Sequence, residues 1–250
     1  MNLLNALQDV RPNPIVSSRD GMVTEGRENE YYELGRRALD LIVFGAKLTG
    51  KESFASILDL PCGHGRVLRW LRAFYPGAQI SACDLDKDGV DFCVNNFGAQ
   101  GLYSNPDLRS LSLNARFDLI WCGSLLTHLP ETQWRQTLDC LCDWVQECGV
   151  VVFSTQGRYM ASLIARQEAD FADNLDTGSL LRDYYATGRA FQPYFENAAG
   201  NYGLSLIAPD FLLQHLRART DVIISSYLEA AWGVQDIVIL YKKDGYFVGG

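Results

Sequence analysis

Apolar residues first gather on one helical stripe between Glu30 and Leu48, where Tyr31, Leu34, Leu39, Ile42, Val43 and Leu48 share a face interrupted by Gly35 and Gly45. The period then changes. Ile57, Leu58 and Leu60 form a short, nearly continuous apolar run, the pattern of a strand covered on both faces, and Val67, Leu68, Trp70 and Leu71 return to helical spacing. The exchange repeats downstream. A helix from Arg66 closes at Tyr75, Pro76 and Gly77, a strand covers 79–83, and a helix from Lys87 to Phe97 is ended by Gly98. A short strand follows at 100–103 and a strong one at 117–122. Pro130 opens a helix to about Glu147, with Trp134, Leu138, Leu141 and Val145 on its stripe, and Val150 to Ser154 make a fifth strand. Five strand–helix alternations predict an α/β fold with a parallel, doubly wound sheet and a ligand at the carboxyl ends of its strands.

Two segments break this rhythm. Residues 1–27 are polar and punctuated by Pro12, Pro14, Gly21 and Gly26, which predicts a loosely held, flexible N-terminal arm before a core of residues 28–155. Residues 156–220 show helical character from Met160 to Phe171, a polar turn from Asp173 to Gly178, and then an aromatic run of Tyr184, Tyr185, Phe191, Tyr194, Phe195 and Tyr202. These aromatics either line a substrate cleft or give an inserted cap subdomain its own core. A helix from Pro209 to Leu216 leads back to strand runs at 221–228 and 235–241, so residues 221–250 are expected to add a hairpin to the sheet.

Composition narrows the function. With 48% hydrophobic and 21% charged residues, the 250-residue chain has the material for one α/β core and an insertion. A formal charge of -8 argues against nucleic acid and anionic membranes as partners and favours a small or uncharged acceptor. Seven cysteines, at 62, 83, 93, 122, 140, 142 and 148, fall mostly inside apolar patterns and read as buried thiols of a reducing compartment. Cys140, Cys142 and Cys148 lack paired ligand spacing and the chain has only three histidines, so no metal is expected. There is no basic segment followed by an apolar run, and no stretch of about 18 apolar residues, so the expectation is a soluble, cytoplasmic protein.

The chemistry concentrates in residues 56–66, Ser-Ile-Leu-Asp-Leu-Pro-Cys-Gly-His-Gly-Arg. Asp59 is a charge at the end of a buried strand and needs a role or a partner. Gly63 and Gly65 allow backbone angles and close approach that a β-carbon would block, which gives strand, tight loop and helix N-terminus. A dinucleotide fingerprint would carry a third glycine where Leu68 stands, which disfavours a nicotinamide dehydrogenase. A second acid, Asp84, ends the second strand about 20 residues after the turn, placed to accept hydrogen bonds from ribose hydroxyls.

The stretch 56–66 resembles motif I of class I S-adenosylmethionine-dependent methyltransferases, with Pro61 in place of the usual first glycine. Residues 117–130, ending Cys122-Gly123-Ser124-Leu125-Leu126-Thr127-His128-Leu129-Pro130, resemble that family's fourth-strand motif. The resemblance implies a Rossmann-like, mostly parallel seven-stranded sheet with an insertion between strands five and six. It implies S-adenosyl-L-methionine as cofactor and a small-molecule acceptor methylated at oxygen or nitrogen. Asp59, Pro61, Cys62, Gly63 and Gly65 would then wrap the methionine end, Asp84 would take the ribose, and Leu85 would pack on the adenine. Asn105 or Asp107 would read the adenine amino group, and Cys122, Gly123 and Ser124 would lie beside the transferred methyl. Tyr31 and Tyr32, on a helix resembling the family's lid, either reach the cofactor pocket or pack the helix on the sheet. His128 is either the base for an acceptor hydroxyl or a residue that positions its loop. His64 reads as a solvent-side or backbone-orienting residue and His215 as structural. A catalytically silent subunit that only binds the cofactor or a partner is the remaining alternative.

Overall fold

The computed structural model describes residues 7, 9–111, 113, 116–169, 175–194 and 202–245. The core opens with helix α1, Glu28–Thr49, followed by β1, Ser56–Asp59, and α2, Leu68–Phe74. Then come β2, Gln79–Asp84, α3, Lys87–Phe97, β3, Gln100–Tyr103, and β4, Phe117–Cys122. Helix α4, Glu131–Trp144, runs directly into β5, Val145–Thr155. The insertion holds α5, Arg158–Ala165, α6, Thr177–Thr187, β6, Arg189–Pro193, and β7, Gly203–Ile207. Helix α7, Pro209–Arg217, returns the chain to β8, Val222–Trp232, and β9, Gln235–Lys242.

The main sheet has seven strands in the order β3-β2-β1-β4-β5-β9-β8. β1 to β5 are parallel, and β9 runs antiparallel between β5 and β8. The chain winds outward from β1 to β3 and then crosses back to β4, so the switch of direction falls between β1 and β4. A crevice at the carboxyl ends of these two strands follows from that topology. Alternation along the strands supplies two cores. Ile57, Ile80, Leu119, Trp121, Val150, Val152 and Ile239 face α1, α2 and α3, while Leu58, Cys83, Ile120, Val151, Phe153 and Val238 face α4 and α7. Six of the cysteines are buried, Cys148 is half-buried, and all seven are free thiols. Among the described residues no helix is long and apolar enough to cross a membrane.

The two glycines that interrupt the first stripe are contact points. A β-carbon on Gly35 would stand 2.4 Å from the Arg66 carbonyl oxygen and 2.7 Å from Trp70 Cδ1, and one on Gly45 would stand 3.3 Å from Ile239 Cγ2. α1 therefore lies directly on the segment that follows the glycine turn. Gly35→Ala is expected to destabilise the fold by about 1 to 3 kcal/mol through overpacking. Chemical denaturation measures this, and an unchanged midpoint would show that α1 does not press on residue 66.

The arm expected to be loose is pinned along residues 13–20. Arg69 is 1% exposed, and a buried guanidinium has five donors to satisfy. It donates to the carbonyls of Gly65 (3.0 Å), Ile15 (2.8 Å), Asn13 (3.2 Å) and His64 (3.3 Å) and to the Tyr31 hydroxyl (3.1 Å). Tyr31 in turn donates to Asp20 Oδ2 and Tyr32 to the Pro14 carbonyl, each at 2.7 Å. The acceptors on the arm are mostly backbone carbonyls, which leave no mark in the sequence.

Other boundaries moved for local reasons. α4 was expected to reach about Glu147 but ends at Trp144, because Val145 pairs with Phe117 and starts the strand early, through an irregularity before Val150 pairs with Leu119. In the insertion α5 stops at Ala165, and Phe171, Asp173 and Phe195 lie outside the described residues. The β6–β7 hairpin has no clear alternation in the sequence; it is held by its ladder and a small core of Met160, Ile164, Leu180, Tyr184, Leu204 and Leu206. His215 bridges helices, accepting from Arg135 Nη1 at Nδ1 (2.8 Å) with Nε2 3.2 Å from Asp139 Oδ1.

Candidate functional site

A crevice of about 750 Å³ opens where the topology places it, above β1, β2 and β4. Its floor is the glycine turn. Cys62 N–H donates to the Cys83 carbonyl (3.0 Å) and Gly65 N–H to the Cys62 carbonyl (2.9 Å), so the turn is tied to β2 and closed on itself. Gly65, at φ +81, could carry no β-carbon, since one would meet the Phe97 ring at 2.5 Å. Gly63, at φ +48, has open space where a β-carbon would stand, and its amide donates to Asp84 Oδ2 at 2.7 Å. The other Asp84 oxygen accepts from the Asp86 amide at 2.9 Å. Two backbone donors thus aim the Asp84 carboxylate and leave lone pairs for a ligand. Asp86 caps α3, accepting from the Asp88 amide at 3.1 Å.

One end of the crevice suits a zwitterion. Asp59 is 1% exposed and its Oδ2 has no hydrogen-bond partner. Burial, reinforced by the Asp84 charge and opposed by Arg66, holds its carboxyl well above the ordinary range. Arg66 is half-buried, with its guanidinium 5.5 Å from the Trp232 ring centre. Burial lowers its pKa, opposed by Tyr31, Asp20 and Asp59, and among the described residues it has no hydrogen-bond acceptor. Asp20, brought in by the pinned arm, lines the same end while accepting from Tyr31 and from the Met22 amide.

The other end carries His128, on a short turn after β4. Its Nδ1 lies 2.9 Å from the Gly203 carbonyl oxygen and 3.2 Å from the Tyr194 hydroxyl, and its ring stacks on Tyr202 at 4.6 Å and 27°. Because a carbonyl only accepts, Nδ1 bears the hydrogen and Nε2 keeps its lone pair. Burial lowers the His128 pKa against the opposing Gly203 contact, so the ring is neutral at pH 7. Between the two ends Ser124 sits at φ 58, its amide donating to Ser154 Oγ (2.7 Å) and its hydroxyl accepting from Gln235 Nε2 (2.8 Å).

Of the residues singled out in the sequence, Asp59, Pro61, Cys62, Gly63, Asp84, Leu85, Asn105, Gly123, Ser124 and His128 line the crevice. Others do not. Gly65 lies beneath Phe97, Cys122 is fully buried in the sheet, Tyr31 spends its hydroxyl on Asp20, and Tyr32 spends its hydroxyl on Pro14. Asp107 also lies off the crevice, where it caps a turn through the Arg109 amide. His64, 5% exposed, sits with Nε2 3.0 Å from Asp88 Oδ2. Arg66, Asp20, Trp232 and Gln235 were not foreseen. Arg66 follows the glycine turn directly, which was a usable signal; the other three are brought in only by tertiary structure.

Residues 57–149 match the family model described as a methyltransferase domain. A curated ubiquinone biosynthesis O-methyltransferase from Coxiella burnetii is 32% identical over 124 residues, which are 48% of this chain and 51% of that protein. The chain thus spans about half the length of the curated relatives it matches. Among solved structures, an S-adenosylmethionine-dependent methyltransferase from Clostridium acetobutylicum superposes with a TM-score of 0.56 at 13% identity, over 84% of this chain and 92% of that one. The amino pentose methyltransferase CalS10 from Micromonospora echinaspora gives 0.59 at 15% identity, over 88% and 98%. At such identities the superpositions establish a shared fold.

Proposed function

We propose that the chain is a class I S-adenosylmethionine-dependent methyltransferase, a reading supported by the match of residues 57–149 to a methyltransferase domain and by the shared fold, and that it transfers a methyl group to a small-molecule acceptor at oxygen or nitrogen. The observation that carries the reading is the pairing of two unmet needs in one crevice, an Asp59 oxygen without a donor and an Arg66 guanidinium without an acceptor. An amino-acid tail satisfies both, its ammonium on Asp59 and its carboxylate on Arg66. The open space above Gly63 accommodates the tail's backbone approach.

Asp84 accepts from the ribose hydroxyls, Leu85 and Asn105 bracket the adenine, and Gly123 and Ser124 border the reacting centre. When bound, S-adenosylmethionine supplies a methyl group on a sulfonium, a leaving group that needs no acid. The chain's own residues therefore align an acceptor, exclude water and hold a proton. The neutral His128 takes that proton at Nε2. The insertion, through β7, forms the acceptor-side wall.

Asp84→Ala is expected to weaken S-adenosylhomocysteine binding by about 1 to 3 kcal/mol, from lost charge-assisted hydrogen bonds. Calorimetry reads this directly, and an unchanged affinity would remove Asp84 from the site. Thermal protection by NAD with none by S-adenosylhomocysteine would instead favour a dehydrogenase.

A further inference from the structure

α1 is fixed at both of its glycines, with Gly35 on the Arg66 carbonyl and Gly45 on Ile239 of the sheet, so it is no moving part. The chain before it is held in two different ways. Residues 13–15 are fastened to the core: Arg69 donates to the carbonyls of Asn13 and Ile15, and Asn13 Nδ2 donates to the Asn96 carbonyl at the end of α3 (3.1 Å). Residues 16–27 then run along the glycine turn to α1, and Asp20 and Met22 line the crevice together with Gly63, His64 and Arg66.

This second stretch has almost no hydrophobic anchorage. Among residues 16–27 only Asp20 is buried; Met22 is 59% exposed, and Val16 and Val23 are half-buried. Three successive turns shape it, with Asp20 N–H on the Ser17 carbonyl (3.2 Å), Val23 N–H on the Asp20 carbonyl (3.1 Å) and Arg27 N–H on the Thr24 carbonyl (2.9 Å). Two side-chain contacts hold it down. The Tyr31 hydroxyl donates to Asp20 Oδ2 at 2.7 Å, and Arg19 pairs with Asp88, whose other oxygen lies 3.0 Å from His64 Nε2. The Arg19 and Asp88 side chains are 74% and 42% exposed, and an ion pair so open to water contributes little. A segment with few apolar contacts and exposed fastenings opens at low free energy while the core stays folded.

The segment also covers the crevice without gripping what lies inside. Arg19 is off the crevice wall, and the Asp20 oxygens already accept from Tyr31 and from the Met22 amide. Its closing therefore restricts passage more than it adds affinity.

We propose that residues 16–27 form a gate over the tail end of the crevice, latched by Asp20 on Tyr31 and by Arg19 on Asp88, and that its opening sets how fast the nucleoside enters and leaves. The inference rests on the cofactor reading above. The fastened residues 13–15 are one hinge, and Gly26, at φ +78 with open space around it, frees the other. A gate differs from a wall in its kinetics. A latch that touches no ligand biases the open state equally in the free and the bound chain, so loosening it raises association and dissociation by one factor and leaves Kd unchanged. Loss of a residue that grips the ligand raises dissociation alone.

The test follows S-adenosylhomocysteine binding to the full chain by stopped flow, with Trp121 and Trp232 on the crevice wall as fluorescent reporters. Arg19→Ala is expected to raise both rate constants about 2- to 5-fold, the scale of an exposed ion pair, with Kd nearly unchanged. Tyr31→Phe keeps the ring beside Arg69 and removes the bond to Asp20, so both constants should rise about 10-fold. In the free chain the amides of Met22 and Val23 should exchange with deuterium at least about 10-fold faster than those of Leu39 to Val43 in α1, and Arg19→Ala should speed them further. If the nucleoside binds but both variants keep the wild-type constants, or only dissociation rises, the gate is overturned and the cofactor reading survives. Protection of Met22 and Val23 equal to that of α1 overturns the gate by itself. If the nucleoside does not bind, the gate and the cofactor reading fall together.

Discussion

His128→Ala is expected to lower kcat by about 10²- to 10⁴-fold, the contribution of a positioned general base, while S-adenosylhomocysteine binds with unchanged affinity. The argument is geometric. Nδ1 is committed to the Gly203 carbonyl, His128 lines the crevice, and Nε2 has no partner among the described residues. Removing the ring would take away the proposed proton acceptor and leave the end of the crevice formed by Asp59, Arg66 and Asp84 intact. Burial depresses the His128 pKa below 6.5, so the wild-type rate should hold at neutral pH and fall only as pH drops through that lowered value. The same shift has a stability consequence. A group whose folded pKa is depressed favours the neutral form in the fold, so its contribution is fully present above 6.5 and is lost as pH falls through the folded value. Equal turnover by the variant, or an acid limb unmoved by it, would assign His128 to positioning its turn.

Arg66→Ala is expected to weaken S-adenosylhomocysteine binding by about 2 to 4 kcal/mol, the range for truncating one partner of a partly desolvated charge pair. Arg66 is flanked by Asp20 and Asp59, and its charge opposes the rise in the Asp59 pKa. Without it the crevice presents acids alone to a carboxylate tail, and Asp59 moves further toward its protonated form. Adenosine separates this from general damage, since it shares the nucleoside and lacks the tail. Its affinity for the variant should match wild type. Arg66→Lys keeps the charge but loses the planar fork, so an intermediate loss is expected. An equal fall for adenosine and S-adenosylhomocysteine would place Arg66 away from the tail.

How much of this was legible in the sequence depends on what kind of signal each part leaves. The parallel, doubly wound core followed from the alternation of apolar runs and helical stripes, because a strand covered on both faces, such as 117–122, can hardly be anything else. Asp84 and the glycine turn were legible because local backbone geometry dictates them. Arg69, Asp20 and Gln156 were not. Arg69 and Gln156 reach backbone carbonyls of distant segments, which carry no side-chain identity to read, and Asp20 meets the Tyr31 hydroxyl only once the arm has folded onto α1. The β6–β7 hairpin was hidden for a related reason: its ladder needs no alternation when its inner face rests on α5 and α6. Gly35 shows the reverse case: the helical stripe was legible through it, but not that it is the small residue that lets α1 touch the Arg66 carbonyl.

The central claim is that a nucleoside with an amino-acid tail occupies the crevice between the glycine turn and the end of β2. A crystal soaked with S-adenosylhomocysteine tests it most directly. The account expects both ribose hydroxyls on the Asp84 carboxylate, the tail carboxylate on Arg66 and the sulfur turned toward Ser124 and His128. A crevice left empty at saturating ligand, or a nucleoside seated with its ribose away from Asp84, would contradict it.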